Sequence, residues 1–284
     1  MLQDIFPHIF HNEFVMKTPT PDDTFCVFQK NEILLIQDND DIRLPISTDF
    51  PYSFDTLCEH SYFLFTLDEK DYFLVYDFPI EEFGDWKYSS IDALRDLIPT
   101  WKLFICVLAR QINQWFSVNR FCGRCGAHMG FSQIERAMEC PECKHLVYPT
   151  LSPSVIVAVI DKKNERILLT KYAGRAYTRY ALVAGYVEVG ETLEQTVRRE
   201  VAEEVGLKVN RISYYKSQPW PFSGTLLAGF YVELDGDPTV TLQESELCEG
   251  TWFTRDTIPD NASTSISLTS EMIENFRMNG KSFD

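Results

Sequence analysis

Between residues 193 and 205 the apolar side chains fall every fourth position, at Leu193, Val197, Val201 and Val205, with mostly charged residues between them. One apolar stripe at this period predicts an amphipathic helix. Thr192 stands where an N-cap belongs, and Gly206 where a glycine closes a last turn. Around this helix the apolar positions come in short runs that predict strands at 155–160, 167–170, 182–187, 226–234 and 251–253, then a last helix near 270–278.

The first 90 residues are patterned mostly as strands. Residues 32–36 form one apolar run, and the runs 62–67 and 72–76 flank the polar stretch Asp68–Asp71 as a hairpin. Ser89 or Ser90 is expected to cap a helix that continues through Leu97, with Pro99 marking its end. A second helix is expected from Thr100 to Phe116, with Leu103, Val107, Ile112 and Trp115 in the core.

Between the halves, Cys122-x-x-Cys125 and Cys140-x-x-Cys143 are separated by fourteen residues. Two such pairs, each next to glycine or proline, predict a closed tetrahedral site for one structural Zn2+. His128 and His145 are spare ligands that four thiolates leave unused. A disulfide reading needs an oxidising compartment, for which the sequence has no support. The other cysteines, Cys26, Cys58, Cys106 and Cys248, show no paired spacing and are expected to be reduced thiols.

Charge then narrows the candidates. The chain of 284 residues has 26 Lys and Arg against 42 Asp and Glu, a net charge of −16. That balance argues against a broad electrostatic grip on nucleic acid or on an anionic membrane surface. The first residues lack a basic region followed by an apolar run, and the longest strongly apolar run, near 103–108, is too short for a bilayer. The expected setting is cytoplasmic.

The predicted helix carries Glu200, Glu203 and Glu204 at i, i+3, i+4, so three carboxylates crowd together. By itself such a run is usually a solvated acidic face. Here it belongs to a longer spaced pattern: Gly185, five residues, Glu191, seven residues, then Arg199-Glu200-Val201-Ala202-Glu203-Glu204-Val205-Gly206. Hard divalent cations such as Mg2+ or Mn2+ resolve the repulsion, because they prefer oxygen ligands. Glu191 and Arg199 suit a supporting ion pair, and Gly185 a close backbone approach.

The stretch from Gly185 to Leu207 resembles the Nudix box at all its fixed positions. Farther on, Ser217-Gln218-Pro219-Trp220-Pro221-Phe222-Ser223-Gly224-Thr225 is similar to the signature of the NADH pyrophosphatase branch, with Ser223 in place of a proline and Thr225 in place of a serine. The order of zinc ribbon, box and QPWPF motif also matches that branch.

The resemblance implies an α+β chain. An N-terminal mixed α/β domain (1–120) is followed by a four-cysteine zinc ribbon (121–150) and a Nudix α/β/α sandwich (151–284). It implies metal-dependent hydrolysis of NADH or NAD+ to nicotinamide mononucleotide and AMP, with Mg2+ or Mn2+, two or more ions among the options. Glu200, Glu203 and Glu204 would be the catalytic metal ligands, joined by the Ala184 carbonyl and by Glu246; Glu204 is the expected general base. Substrate contacts would come from Tyr186, from residues 218–225, from Ser267 and Arg95, and from Tyr148, which in the family can reach across a homodimer. Removal of the NAD cap from RNA and hydrolysis of ADP-ribose or a nucleotide sugar use the same chemistry. A zinc-ribbon regulator that binds nucleic acid is the non-enzymatic alternative, and the mixed charges of the ribbon disfavour it.

Overall fold

In the computed structural model all residues are described except 39–40, 83, 175–178, 261–265 and 281–284. The chain divides into two compact units: residues 2–150, and Met1 together with residues 151–284.

In the amino-terminal unit the strands are β1 (Phe10–His11), β2 (Thr24–Gln29), β3 (Glu32–Asp38), β4 (Asp41–Arg43), β5 (Ser61–Leu67), β6 (Lys70–Val75) and β7 (Trp86–Ser90). They form one sheet in the order β1-β5-β6-β2-β3-β4, with β7 paired to β3. The hairpin between β5 and β6 turns on Asp68 and Glu69 alone, both with positive φ (51° and 66°). A two-residue turn of that hand matches the twist of the strands it joins. Helix α1 (Phe54–Glu59) is capped by Ser53, and α2 runs from Thr100 to Val118 with Leu103, Val107 and Trp115 buried.

The helix expected after Ser89 or Ser90 does not form. Both serines end β7, opposite Ile33 and Glu32 of β3, and the helical stretch is a single 3-10 turn at Ala93–Asp96. Pairing with β3 gives these residues partners for their backbone groups and buries Trp86, which outweighs the local capping preference of serine.

The ribbon packs onto this unit. Its strands β8 (Gly130–Phe131), β9 (Met138–Glu139) and β10 (Leu146–Val147) form a small antiparallel sheet. Phe131 stacks on Tyr62 at 4.0 Å and on Phe116 at 4.9 Å between ring centroids, and Arg136 Nη2 donates to the Leu64 carbonyl at 2.8 Å. Met129 and Met138 join Trp115 and Phe116 in one cluster with Cys122 and Cys140.

The carboxy-terminal unit is a mixed sheet between two helices. Its strands are β11 (Ser152–Asp161), β12 (Arg166–Tyr172), β13 (Val183–Tyr186), β14 (Val209–Trp220), β15 (Thr225–Leu234) and β16 (Leu247–Thr254). The order is β14-β15-β11-β12-β16, with β13 also paired to β11, and only β11 and β15 run parallel. Helix α3 (Leu193–Val205) buries Val197, Val201 and Val205 against Val155, Val157 and Val159. Helix α4 (Leu268–Asn279) covers the other face, where Met272, Ile273 and Phe276 meet Ile156, Ala158 and Ile160. Successive β11 side chains point to opposite faces and both faces are covered, so residues 155–160 are apolar without interruption.

Helix α3 has the expected ends. Thr192 Oγ1 accepts from Gln195 N–H at 3.2 Å while Gln195 Oε1 accepts from Thr192 N–H at 2.8 Å, and Gly206 adopts φ 70°. The QPWPF stretch is partly strand: Ser217 to Trp220 finish β14, opposite Ala228 to Thr225 of β15. Strand β14 lies at the sheet border, where a proline costs no ladder bond. Among the described residues no helix is long and apolar enough to cross a membrane.

Candidate active site

The four cysteine sulfurs lie within 4.8 Å of one another, with Cys122 and Cys143 Sγ 3.6 Å apart and Cys125 and Cys140 Sγ 3.4 Å apart. A tetrahedron of thiolates at a Zn–S bond of about 2.3 Å has edges of about 3.8 Å, so this set fits Zn2+ with little adjustment. The two knuckles repeat one design. Gly126 N–H donates to the Cys122 carbonyl at 2.8 Å and Lys144 N–H to the Cys140 carbonyl at 3.0 Å, and both Gly126 and Lys144 have positive φ. Of the ribbon's positive side chains, Arg136 is engaged with Leu64 and Lys144 lies 3.5 Å from Glu139, whereas Arg124 is exposed.

Arg199 is the hub of the second site. Its Nε and Nη2 grip Glu191 Oε1 and Oε2 at 2.7 and 2.9 Å, Nη1 meets Glu200 Oε1 at 2.7 Å and Glu203 Oε2 at 3.0 Å, and Nη2 also donates to the Tyr186 carbonyl at 2.9 Å. One guanidinium therefore ties helix α3 to the end of β13 and to the loop that follows it. Planar, forked donors suit this task. Glu191 also accepts from Glu188 N–H and from Thr196 Oγ1. The Arg199 contact, first among these, holds its pKa down at about 2.

Gly185 has a steric reason to be glycine. A Cβ at that position would lie 1.9 Å from Glu200 Cδ. The Glu200 carboxyl lies directly against the main chain of β13 at Gly185. Burial pushes the Glu200 pKa up; Arg199 opposes this, and the charges of Glu203 and Glu246 add to it. Glu204 is 1 % exposed, on the buried side of α3, whereas the Glu203 side chain is about half exposed. Among the described residues only the four cysteines bring three or more ligand atoms within 4.8 Å of one another; the carboxyls of Glu200, Glu203 and Glu204 offer oxygen donors alone. That chemistry fits Mg2+ or Mn2+.

Glu246 approaches from elsewhere in the fold. Residues 241–246 lie along the end of α3, where Thr241 N–H donates to the Val205 carbonyl and Gln243 N–H to the Glu204 carbonyl, both at 3.0 Å.

The residues expected to touch substrate divide by location. Tyr186, half exposed at the end of β13, and the pair Trp220 and Phe222, with ring centroids 4.8 Å apart, lie in the carboxy-terminal unit. Gln218 is fully buried; its amide donates to the Ile266 carbonyl at 3.0 Å and accepts from Leu268 N–H at 2.6 Å, fixing the start of α4. Ser267 N-caps that helix through Ser270 N–H. Pro219 is exposed and Pro221 buried, and the turn closes through Gly224 at φ 68°. Ser223 and Thr225 hydroxyls meet at 2.7 Å, an exchange that a proline at 223 would remove.

Arg95 and Tyr148 belong to the amino-terminal unit. Arg95 bonds Asp92 at 2.8 Å, and Tyr148 is half exposed, with Glu135 pushing its hydroxyl pKa up. The sequence pattern did not single out Ser154, whose hydroxyl donates to the Gly185 carbonyl at 2.8 Å, or Thr196, which orients Glu191. The position of Thr196, one turn into the helix after Thr192, is the signal that could have marked it.

Comparison with known proteins identifies two regions of the chain. Residues 150–272 match the NUDIX domain and residues 118–148 the NADH pyrophosphatase zinc ribbon domain. The chain therefore carries a zinc ribbon of the NADH pyrophosphatase type followed by a NUDIX domain. Among its relatives, the "NAD-capped RNA hydrolase NudC" of Haemophilus influenzae is 37% identical over 180 residues, which is 62% of this chain and 66% of that protein. The protein of the same name from Pseudomonas aeruginosa is 43% identical over 156 residues, 54% of this chain and 55% of its own length. The matched stretches thus span between half and two thirds of these relatives. A solved NUDIX hydrolase from Nitrosomonas europaea is 26% identical with a TM-score of 0.47, covering 56% of this chain and 90% of that one.

Proposed function

We propose that this protein hydrolyses the diphosphate bridge of NADH or NAD+, giving nicotinamide mononucleotide and AMP, with Mg2+ or Mn2+ as the cofactor. The observation that carries the reading is the Glu200 carboxyl fitted against Gly185 and oriented by Arg199, beside the buried Glu204. Glu200, Glu203, Glu204, the Ala184 carbonyl and Glu246 would hold the cations. When bound, such ions draw charge from phosphate oxygens and lower the pKa of a bound water. In this reading Glu204 takes the proton of the attacking water. Arg199 and Glu191 keep the carboxylates aimed. Trp220, Phe222 and Tyr186 offer flat faces to the rings of the dinucleotide.

The names of the relatives favour a second reading with the same bond broken: release of an NAD cap from RNA. A net charge of −16 favours recognition confined to the cap. ADP-ribose or a nucleotide sugar is the remaining substrate reading, motivated by Ser223 in the motif. In this proposal the active form is a homodimer, with Tyr148 completing the partner's site, and the protein works in the cytoplasm. Purified protein with Mg2+ should release AMP from NADH, and Glu204→Gln should reduce that release by about 1,000-fold or more while keeping the native melting temperature. An equally active Glu204→Gln would remove the mechanism. Turnover of NAD-capped RNA against free NADH ranks the two substrates.

A further inference from the structure

The segment that brings Glu246 to the site is built like a strap across the end of α3. Val240 and Leu242 pack into the same core as Val205, and Trp252 Nε1 holds the Pro238 carbonyl at 2.9 Å. A Cβ on Gly206 would lie 2.9 Å from Thr241 Cβ, and one on Gly250 2.8 Å from Leu242 Cδ2, so two glycines admit the strap. Within it, Gln243 has contacts on both sides. Its N–H donates to the Glu204 carbonyl at 3.0 Å, its carbonyl accepts from Glu246 N–H at 2.9 Å and Leu247 N–H at 3.0 Å, and its side-chain Nε2 donates to Glu246 Oε1 at 3.2 Å. The other side of the Glu246 backbone is held by Ala173 N–H, which donates to its carbonyl at 2.8 Å.

We infer that Gln243 is a positioning residue that fixes the Glu246 carboxylate relative to Glu204 and so sets how tightly the acidic site holds a divalent cation. The inference rests on the metal-site reading above and adds a residue outside the Nudix box. Its backbone contacts register the turn on the last turn of α3. Its amide orients one oxygen of Glu246 and leaves the other for an ion. Exposed carboxylates rotate freely; a fixed donor removes that freedom before the cation arrives.

The test is Mn2+ affinity of the full chain, followed by the electron paramagnetic resonance signal of free Mn2+, together with the melting temperature. Gln243→Met keeps the volume and the backbone bonds and removes the donor. It should weaken Mn2+ binding by about tenfold at an unchanged melting temperature. Glu246→Gln should weaken binding as well, and adding Gln243→Met to it should cost nothing more, because the amide acts through that carboxylate. Glu200→Gln checks the underlying site separately, since its failure to affect Mn2+ would overturn the metal reading itself. Gln243→Met binding within twofold of the parent, a double variant weaker than Glu246→Gln, or a loss of melting temperature that tracks the loss of affinity would each overturn the inference.

Discussion

Arg199 and Glu191 meet as a two-pronged pair, Nε to Oε1 at 2.7 Å and Nη2 to Oε2 at 2.9 Å, eight positions apart and on different elements. The remaining guanidinium nitrogen, Nη1, reaches Glu200 and Glu203, so this pair determines where the acidic face of α3 points. Arg199→Lys keeps the charge but cannot bridge both partners. Its kcat/KM for NADH should fall by about 10–100-fold, as for other residues that orient metal ligands, with a small loss of melting temperature. Steady-state kinetics beside a thermal melt would show a variant of undiminished activity if the pair were only decorative.

The same pair has a pH signature. The folded-state pKa of Glu191, about 2, lies below the ordinary value of 4.5. Its contribution to stability is therefore complete above about pH 4.5 and is lost as the pH falls toward 2. Urea unfolding at pH 7, 5 and 3 should show parent and Glu191→Gln farthest apart at neutral pH and converging in acid. A gap that widened in acid would contradict the sign.

Gly185→Ala places a methyl group 1.9 Å from Glu200 Cδ, where no atom can sit. The Glu200 side chain must swing away while the fold persists. Mn2+ affinity and kcat should both drop by about 10–100-fold, with the circular dichroism spectrum unchanged. A Gly185→Ala protein with native Mn2+ affinity would show that Glu200 binds no ion.

The ribbon should contain one zinc ion per chain as purified. Cys140→Ser should lower the melting temperature of the amino-terminal unit, because metal binding is coupled to folding. The Phe131–Tyr62 stack makes near-ultraviolet circular dichroism a sensitive reporter of that loss. Elemental analysis without zinc would refute the prediction.

Trp220→Ala removes one of two rings set 4.8 Å apart. If they hold a ring of the dinucleotide, KM for NADH should rise by about tenfold with kcat little changed, in line with about 1–3 kcal/mol for one stacked base. An unaltered KM would place the ring of the substrate elsewhere.

Helix α3 was legible in sequence because its stripe, its Thr192 cap and its Gly206 terminus all agree. The same holds for the ribbon, where spacing alone specifies the four sulfurs. The helix expected at Ser89 and Ser90 did not form, because a local cap signal competes with a strand partner, β3, that lies more than 50 residues away in sequence. The end of β14 was hidden by its prolines, which only a border strand tolerates, and border status is a property of topology. Glu200 against Gly185 was legible as a pattern but not as a contact. Gln243 carried no signal, since its meaning depends on the strap reaching the end of α3.

Pro219 and Pro221, at the end of β14, have one further effect. Neither has an amide hydrogen. A foreign strand laid along this border would find gaps in the row of donors it needs, next to the aromatic pair Trp220 and Phe222. The stretch that carries this partly buried aromatic pair is therefore also a poor template for sheet extension, so the rings can stay within reach of a ligand without inviting copies of the chain to add strands there.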